Sequence, residues 1–172
     1  MASKHSPIDT QDDALTLLHD DHEHLKHLFA QFDKGANERR NEIVEHACSA
    51  LSAHTQLEES LFYPAVQEHI QRGNLVEEAR VEHDSVKQLA SKLQSGLLDD
   101  AARDATFRVM ARMVAQHIAQ EEQQLFPEVR ASDLDLVALG DKMRSHQEDL
   151  LQHPVLTKGQ HSTARSSHEP AS

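Results

Sequence analysis

Two stretches of the chain carry the same ionisable phrase, HTQLEESLFYP at 54–64 and HIAQEEQQLFP at 117–127. Each reads histidine, three residues, two glutamates, four residues, proline. On a helix a residue four positions on lies one turn along and about 40° around. His54 and Glu58 therefore share a face, as do His117 and Glu121, while Glu59 and Glu122 lie about 140° from their histidines. An imidazole and a carboxylate side by side suit iron, manganese or zinc, whereas calcium or magnesium wants mostly oxygen and structural zinc usually takes cysteine.

Two single histidines complete the pattern. His22 precedes His54 by 32 residues and His83 precedes His117 by 34, so the chain repeats in halves. Each half supplies one lone histidine and one His-x-x-x-Glu pair. Such a pseudo-twofold arrangement presents its ligands near a common axis, where two metals can share them.

The elements that position these residues are helices. The expected segments run from a cap at Asp9 or Thr10 to Phe32, from Asn37 through His54 toward Pro64 with a restart to Gln71, from Leu75 to Ser95, from Asp100 to Val129, and from Asp133, capped by Ser132, to Gln152. No segment alternates with period two, so no strand is expected. Short connections between long helices predict an all-α, up-down-up-down antiparallel four-helix bundle with an additional C-terminal helix. Residues 1–10 are expected to be a flexible N-terminus, 11–152 the bundle with its fifth helix, and 153–172 a polar, disordered tail.

Helical periodicity separates inward from outward histidines. His22 lies within the stripe Leu15, Leu18, Leu25, Phe29, Phe32, whereas His24 and His27 fall off it. His54 lies within Ile43, Ala47, Ala50, Leu51, Leu61; His83 within Val76, Ala79, Val86, Ala90, Leu97; and His117 follows Thr106, Met110, Met113, Val114. Tyr63 is about 180° from His54 on an unbroken helix and reads as packing, unless Pro64 kinks the chain. Cys48 reads as a small buried residue, and His146 as lying away from any site. Burying an unpaired carboxylate costs several kcal/mol, about 3–5 when one partner of a buried pair is missing. Four imidazoles and two carboxylates on buried stripes therefore point to a buried metal site over a hydrogen-bonded polar core.

Ligand counting refines the metal. Two six-coordinate ions offer about twelve positions; the side chains fill about eight, a bridging oxide or hydroxide about two, and about two stay open for a small molecule. Redox-active di-iron is the expected cofactor, ahead of manganese or zinc. The ferritin-like site uses Glu-x-x-His and more glutamates, the reverse order to the one here.

Composition bounds the rest. The chain has 172 residues, a formal net charge of −12, 14 histidines and 3% aromatic residues. That acidity gives no electrostatic reason to bind nucleic acid or an anionic membrane. One cysteine, an N-terminal sequence without an apolar run and no membrane-length stretch make a cytoplasmic protein the expectation.

The motifs DDHEHLKHLF, HTQLEESLFYP, EHDSVKQL and HIAQEEQQLFP, in that order over about residues 14–130, resemble the hemerythrin-like family, the HHE cation-binding domains. The resemblance implies a four-helix bundle around a non-haem di-iron centre that binds oxygen. By motif its metal ligands would be His22, His54, Glu58, His83, His117 and Glu121. It also covers proteins linked to iron handling, peroxide breakdown and nitric oxide. Two departures stand out. Oxygen-carrying members have a histidine where this chain has Lys87, and an aspartate where it has Glu122, with Glu121 better oriented. The expected function is binding of oxygen or a related small oxidant for sensing, storage or detoxification, with a catalase-like, peroxide-consuming variant. The alternatives are a non-enzymatic iron or divalent-metal homeostasis protein and a metal-free interaction bundle.

Overall fold

The computed structural model describes residues 13–152; the expected caps Asp9 and Thr10, the N-terminal segment and the tail lie outside the described residues. Among the described residues seven α-helical segments follow one another: α1 (Ala14–Phe32), α2 (Asn37–Leu57), α3 (Tyr63–Gln67), α4 (Asn74–Gln94), α5 (Asp100–Gln120), α6 (Phe126–Ala131) and α7 (Leu136–Gln152). Two π-helical turns join them, Glu58–Phe62 between α2 and α3 and Glu121–Leu125 between α5 and α6. Among the described residues there is no strand, and no helix is long and apolar enough to cross a membrane.

Local chemistry sets the ends. Asp13 caps α1 by accepting a 2.8 Å hydrogen bond from the Thr16 N–H, and Asp99 caps α5 by accepting one of the same length from Ala102. Gly96 ends α4 with φ +69°, a conformation that favours glycine. The C-terminal helix begins later than the sequence predicts. Asp135, not Ser132, accepts from the Ala138 N–H at 3.0 Å, and Ser132 instead serves the turn by accepting from the Leu134 N–H.

Helix α1 packs on α2, α4 on α5, and α2 on α4, making a helical bundle; α7 lies across α1, α2 and the first π turn. Two apolar clusters fill the interior. One is built from Leu25, Phe32, Ala47, Leu51, Val86, Phe107, Met110 and Val114. The other, from Leu15, Leu18, Leu57, Phe62, Val76, Leu125, Val129 and, on α7, Leu139 and Met143. Each fully buried Leu, Val or Phe contributes about 1.5–3 kcal/mol relative to exposure. Leu97, expected on the buried stripe, is 88% exposed, because α4 stops before Gly96 and the chain turns away. Cys48 is buried as expected, and burial pushes its thiol up to about 11.

Candidate metal centre

Between the two apolar clusters lies a layer of ionisable groups. His22, His54, Glu58, His83, His117 and Glu121 are all buried, none more than 4% exposed. The inner nitrogens and carboxylate oxygens converge. The His54 Nε2 and the His83 Nε2 each lie 3.2 Å from the Glu58 Oε2. The His22 Nε2 lies 3.3 Å, and the His117 Nε2 3.5 Å, from the Glu121 Oε2. The His83 and His117 Nε2 atoms are 3.1 Å apart. Ligand atoms of His22, His54, Glu58 and Glu121 lie within 4.8 Å of one another and form one set that could hold a cation; Glu58, His83 and His117 form a second. Glu58 belongs to both.

The six residues fit such a group. The His22 Nε2, His54 Nε2, Glu58 Oε1 and Glu121 Oε2 are buried without a hydrogen-bond partner. Each orphaned buried polar atom costs about 1–3 kcal/mol, so a layer that orphans several, all aimed inward, is built for something that accepts their lone pairs. Borderline-soft nitrogen mixed with carboxylate oxygen suits a transition-metal cation.

Three of the four outer nitrogens are held as well. The His22 Nδ1 lies 3.0 Å from Glu122, the His83 Nδ1 3.0 Å from Glu59, and the His117 Nδ1 2.9 Å from Glu82. Asp21 stands 3.7 Å from the His54 Nδ1. A carboxylate hydrogen-bonded behind His22, His83 and His117 fixes each ring's orientation and raises its basicity as a ligand, whereas the His54 Nδ1 is buried without a hydrogen-bond partner. Glu59 and Glu122 do turn from their own histidines, as the wheel predicts, but each reaches the lone histidine of the other half. Asp21 and Glu82 occupy the position just before a lone histidine and serve the His of the adjoining pair.

Charge follows this layout. Burial disfavours the charged form of His117, but the carboxylates of Glu121, Glu82 and Glu58 outweigh it and raise its pKa to about 9. For His22 burial acts in the same sense, and Glu121, Glu58 and Glu122 reverse it into a net rise. Burial would raise the Glu121 carboxyl, yet His117, His22 and His54 pull it far below its usual range. Metal and protons therefore compete for the inner imidazole nitrogens.

The two π turns correct the reading of Tyr63. In a π turn the N–H bonds five residues back; here Tyr63 bonds the Glu58 carbonyl and Phe126 the Glu121 carbonyl. Residues five apart then stand over one another. Proline lacks an N–H and crowds the carbonyl four residues back, and Pro64 and Pro127 each follow a π turn after one intervening residue, Tyr63 or Phe126. Tyr63 is consequently swung inward and fully buried. Its hydroxyl donates to the Glu121 Oε1 at 2.8 Å and stands 3.3 Å from both the Glu58 Oε2 and the His83 Nε2. Burial and the carboxylates of Glu121 and Glu58 raise its pKa, so the phenol keeps its proton. The clue in the sequence is Pro64, where a kink breaks the uniform helical angle that would turn Tyr63 away from His54. In the second half Phe126 takes the equivalent place and stacks on His22 at 5.7 Å.

The other histidines sort as expected: His24 and His27 are exposed. On α7 it is Gln147, not His146, that approaches the periphery, with its Nε2 3.3 Å from Asp21. Two surface clefts flank the layer. One of about 580 Å³ is bordered by His19, Glu122 and Phe126, the other of about 620 Å³ by Thr55, Glu59 and Lys87; neither is lined by any of the six inner residues.

The sequence model of the hemerythrin HHE cation binding domain matches residues 13–129. The chain belongs to that family. A solved structure of a hemerythrin HHE cation binding domain-containing protein from Mycobacterium kansasii shares the fold, with a TM-score of 0.68 and 24% identity over 80% of this chain and 86% of that one. No curated protein matches this hemerythrin-family chain. The match spans α1 to Val129, so α7 lies beyond it.

Proposed function

We propose that this chain is a hemerythrin-like non-haem di-iron protein, its helices in up-down-up-down order, that binds oxygen or a related small oxidant such as peroxide or nitric oxide. The observation that carries this reading is the pair of ligand sets sharing Glu58 amid inward-facing, unpartnered atoms. The histidines His22, His54, His83 and His117 would hold the ions terminally, and Glu58 and Glu121 would bridge. Bound iron supplies a redox change and Lewis acidity. The protein's own residues do the rest. The outer carboxylates turn the Nε2 of His22, His83 and His117 inward, the flanking apolar clusters exclude water, and Tyr63 holds a proton at Oη within reach of Glu121. A hydroxyl there suits a ligand that gains a proton as it is reduced, which supports a peroxide-consuming version.

The second reading is metal homeostasis without turnover. It is favoured by the enclosure of the six inner residues, which neither surface cleft reaches. Metal analysis of the purified protein, with its optical spectrum before and after oxygen, peroxide and nitric oxide, separates the two. The oxidant-binding reading expects two irons per chain and a spectrum that responds to ligand. Full iron content with an inert spectrum would establish homeostasis instead, and a chain that binds no metal and folds unchanged in chelator would sink both.

A further inference from the structure

The duplicated motif extends one turn beyond the lone histidines. Lys26 follows His22 by four residues and Lys87 follows His83 by four, so each lysine shares its histidine's helix face. Both grip the carboxylate that backs that histidine. The Lys87 Nζ lies 2.5 and 2.6 Å from the two oxygens of Glu59, whose Oε1 is also 3.0 Å from the His83 Nδ1. The Lys26 Nζ lies 3.3 Å from each oxygen of Glu122, whose Oε1 is 3.0 Å from the His22 Nδ1. Histidine and lysine thus clamp one carboxylate from the opposite half of the chain. The same geometry occurs twice, at corresponding positions, on helices far apart in sequence.

We propose that Lys26 and Lys87 are positioning residues of the metal centre, each fixing the carboxylate that orients His22 or His83. The inference rests on the ligand assignment above. A glutamate held by the ammonium keeps its acceptor oxygen on Nδ1, so the imidazole keeps its Nδ1–H outward and its Nε2 toward the cation. Freed from the lysine, the same carboxylate can rotate toward water, since Glu59 and Glu122 are 27% and 24% exposed. The two clamps are not equal. Glu122 is also met by His19 at 3.1 Å, and Lys26 divides itself between Glu122 and Glu23, with the latter at 2.9 Å. Glu59 has only Lys87 and His83 in its described hydrogen bonds. Loss of Lys87 is therefore the larger perturbation.

The test compares Lys87→Met, Lys26→Met and Lys87→Arg, with Lys92→Met on an exposed part of α4 as control. Methionine keeps the packing of the apolar stem. The first measurement uses the metal-free full chain: proton–nitrogen correlation spectra of the histidine Nδ1–H groups. The His83 Nδ1–H, slow to exchange in the wild type, should exchange freely in Lys87→Met and recover in Lys87→Arg, while the His22 resonance responds to Lys26→Met alone. The second measurement is ferrous iron affinity against a competing chelator. It should weaken about tenfold in Lys87→Met, less in Lys26→Met, and not at all in Lys92→Met. The partly exposed ion pairs add little to global stability, so melting temperatures should stay close to wild type. An unchanged His83 Nδ1–H with unchanged iron affinity in Lys87→Met overturns the proposal, even if His83→Ala abolishes iron binding and so upholds the ligand assignment. If the wild type takes up no iron, the ligand assignment fails, and the Nδ1–H exchange alone then decides whether the lysines orient the imidazoles.

Discussion

The two halves of the centre are built from one plan, and their clearest differences are one hydroxyl and one helix. Each half has an acid-histidine pair followed one turn on by lysine, then a His-x-x-x-Glu-Glu run that ends in a π turn before proline. Ligands, backing carboxylates and clamping lysines repeat. The differences lie at the aromatic residue before each proline and at the periphery. Tyr63 brings a hydroxyl to Glu121, Glu58 and His83, whereas Phe126 lays a bare ring on His22. Helix α7 packs mainly on the first half, and through Gln147 it reaches the acid beside His54. Duplication therefore accounts for two like sets of candidate ligands, and the asymmetry gives the two sets different neighbours. A ligand bound between them would meet a proton donor on one side and a hydrocarbon face on the other.

The largest expected effect comes from removing one ligand from either half. His54→Ala and His117→Ala should each lose metal and destabilise the chain by about 3–5 kcal/mol, because a buried carboxylate is left without its partner. The exposed His24→Ala and His27→Ala should change neither metal content nor melting temperature. Equal losses in all four variants would refute the assignment of faces.

Tyr63→Phe makes the halves alike. It should keep its metal but cost about 1–3 kcal/mol, since the Glu121 Oε1 loses its buried donor, and it should slow any peroxide consumption. Denaturant titration and peroxide assays check this. The double variant Tyr63→Phe with Phe126→Tyr moves the hydroxyl across and should alter the optical spectrum differently from either single change.

A third comparison sets metal-free against metal-loaded protein as pH rises. The folded pKa of His117, about 9, lies above its ordinary 6.5. Its charged form therefore stabilises the metal-free fold fully below about 6.5, and that contribution is lost as pH rises through about 9. Urea midpoints of the metal-free chain should fall across this window. In the loaded chain the cation replaces the proton, and the fall should be absent.

The smallest effect should come from Gln147→Ala, about 0.5 kcal/mol. It should act on His54, through Asp21, and leave His117 unaltered; resonances that shift equally in both halves would deny α7 a one-sided role.

Much of the centre was legible from side-chain types and a single angle. Four histidines on apolar stripes and two glutamates one turn below cannot be buried without a common partner, so periodicity and the cost of buried charge together select the six residues. Helix positions followed for the same reason, except at the start of α1, where Asp13 rather than Asp9 or Thr10 is the cap, at α3, which ends at Gln67 rather than Gln71, at the end of α4, where Leu97 is exposed, and at the start of α7, where Asp135 rather than Ser132 is the cap. Three things needed the tertiary structure. The π turns break the uniform angle on which any wheel depends, so Tyr63 could be placed only once the backbone was known. Glu59 and Glu122 act across halves, and a contact between residues about a hundred positions apart, such as His22 and Glu122, leaves no mark in local spacing. Lys87 reads in sequence as a missing imidazole; its role against Glu59 depends on two helices meeting. The order of residues decides which side chains must avoid water, because burial is set by periodicity, whereas the packing of helices decides which of those groups meet, because distance in space is set by the whole fold.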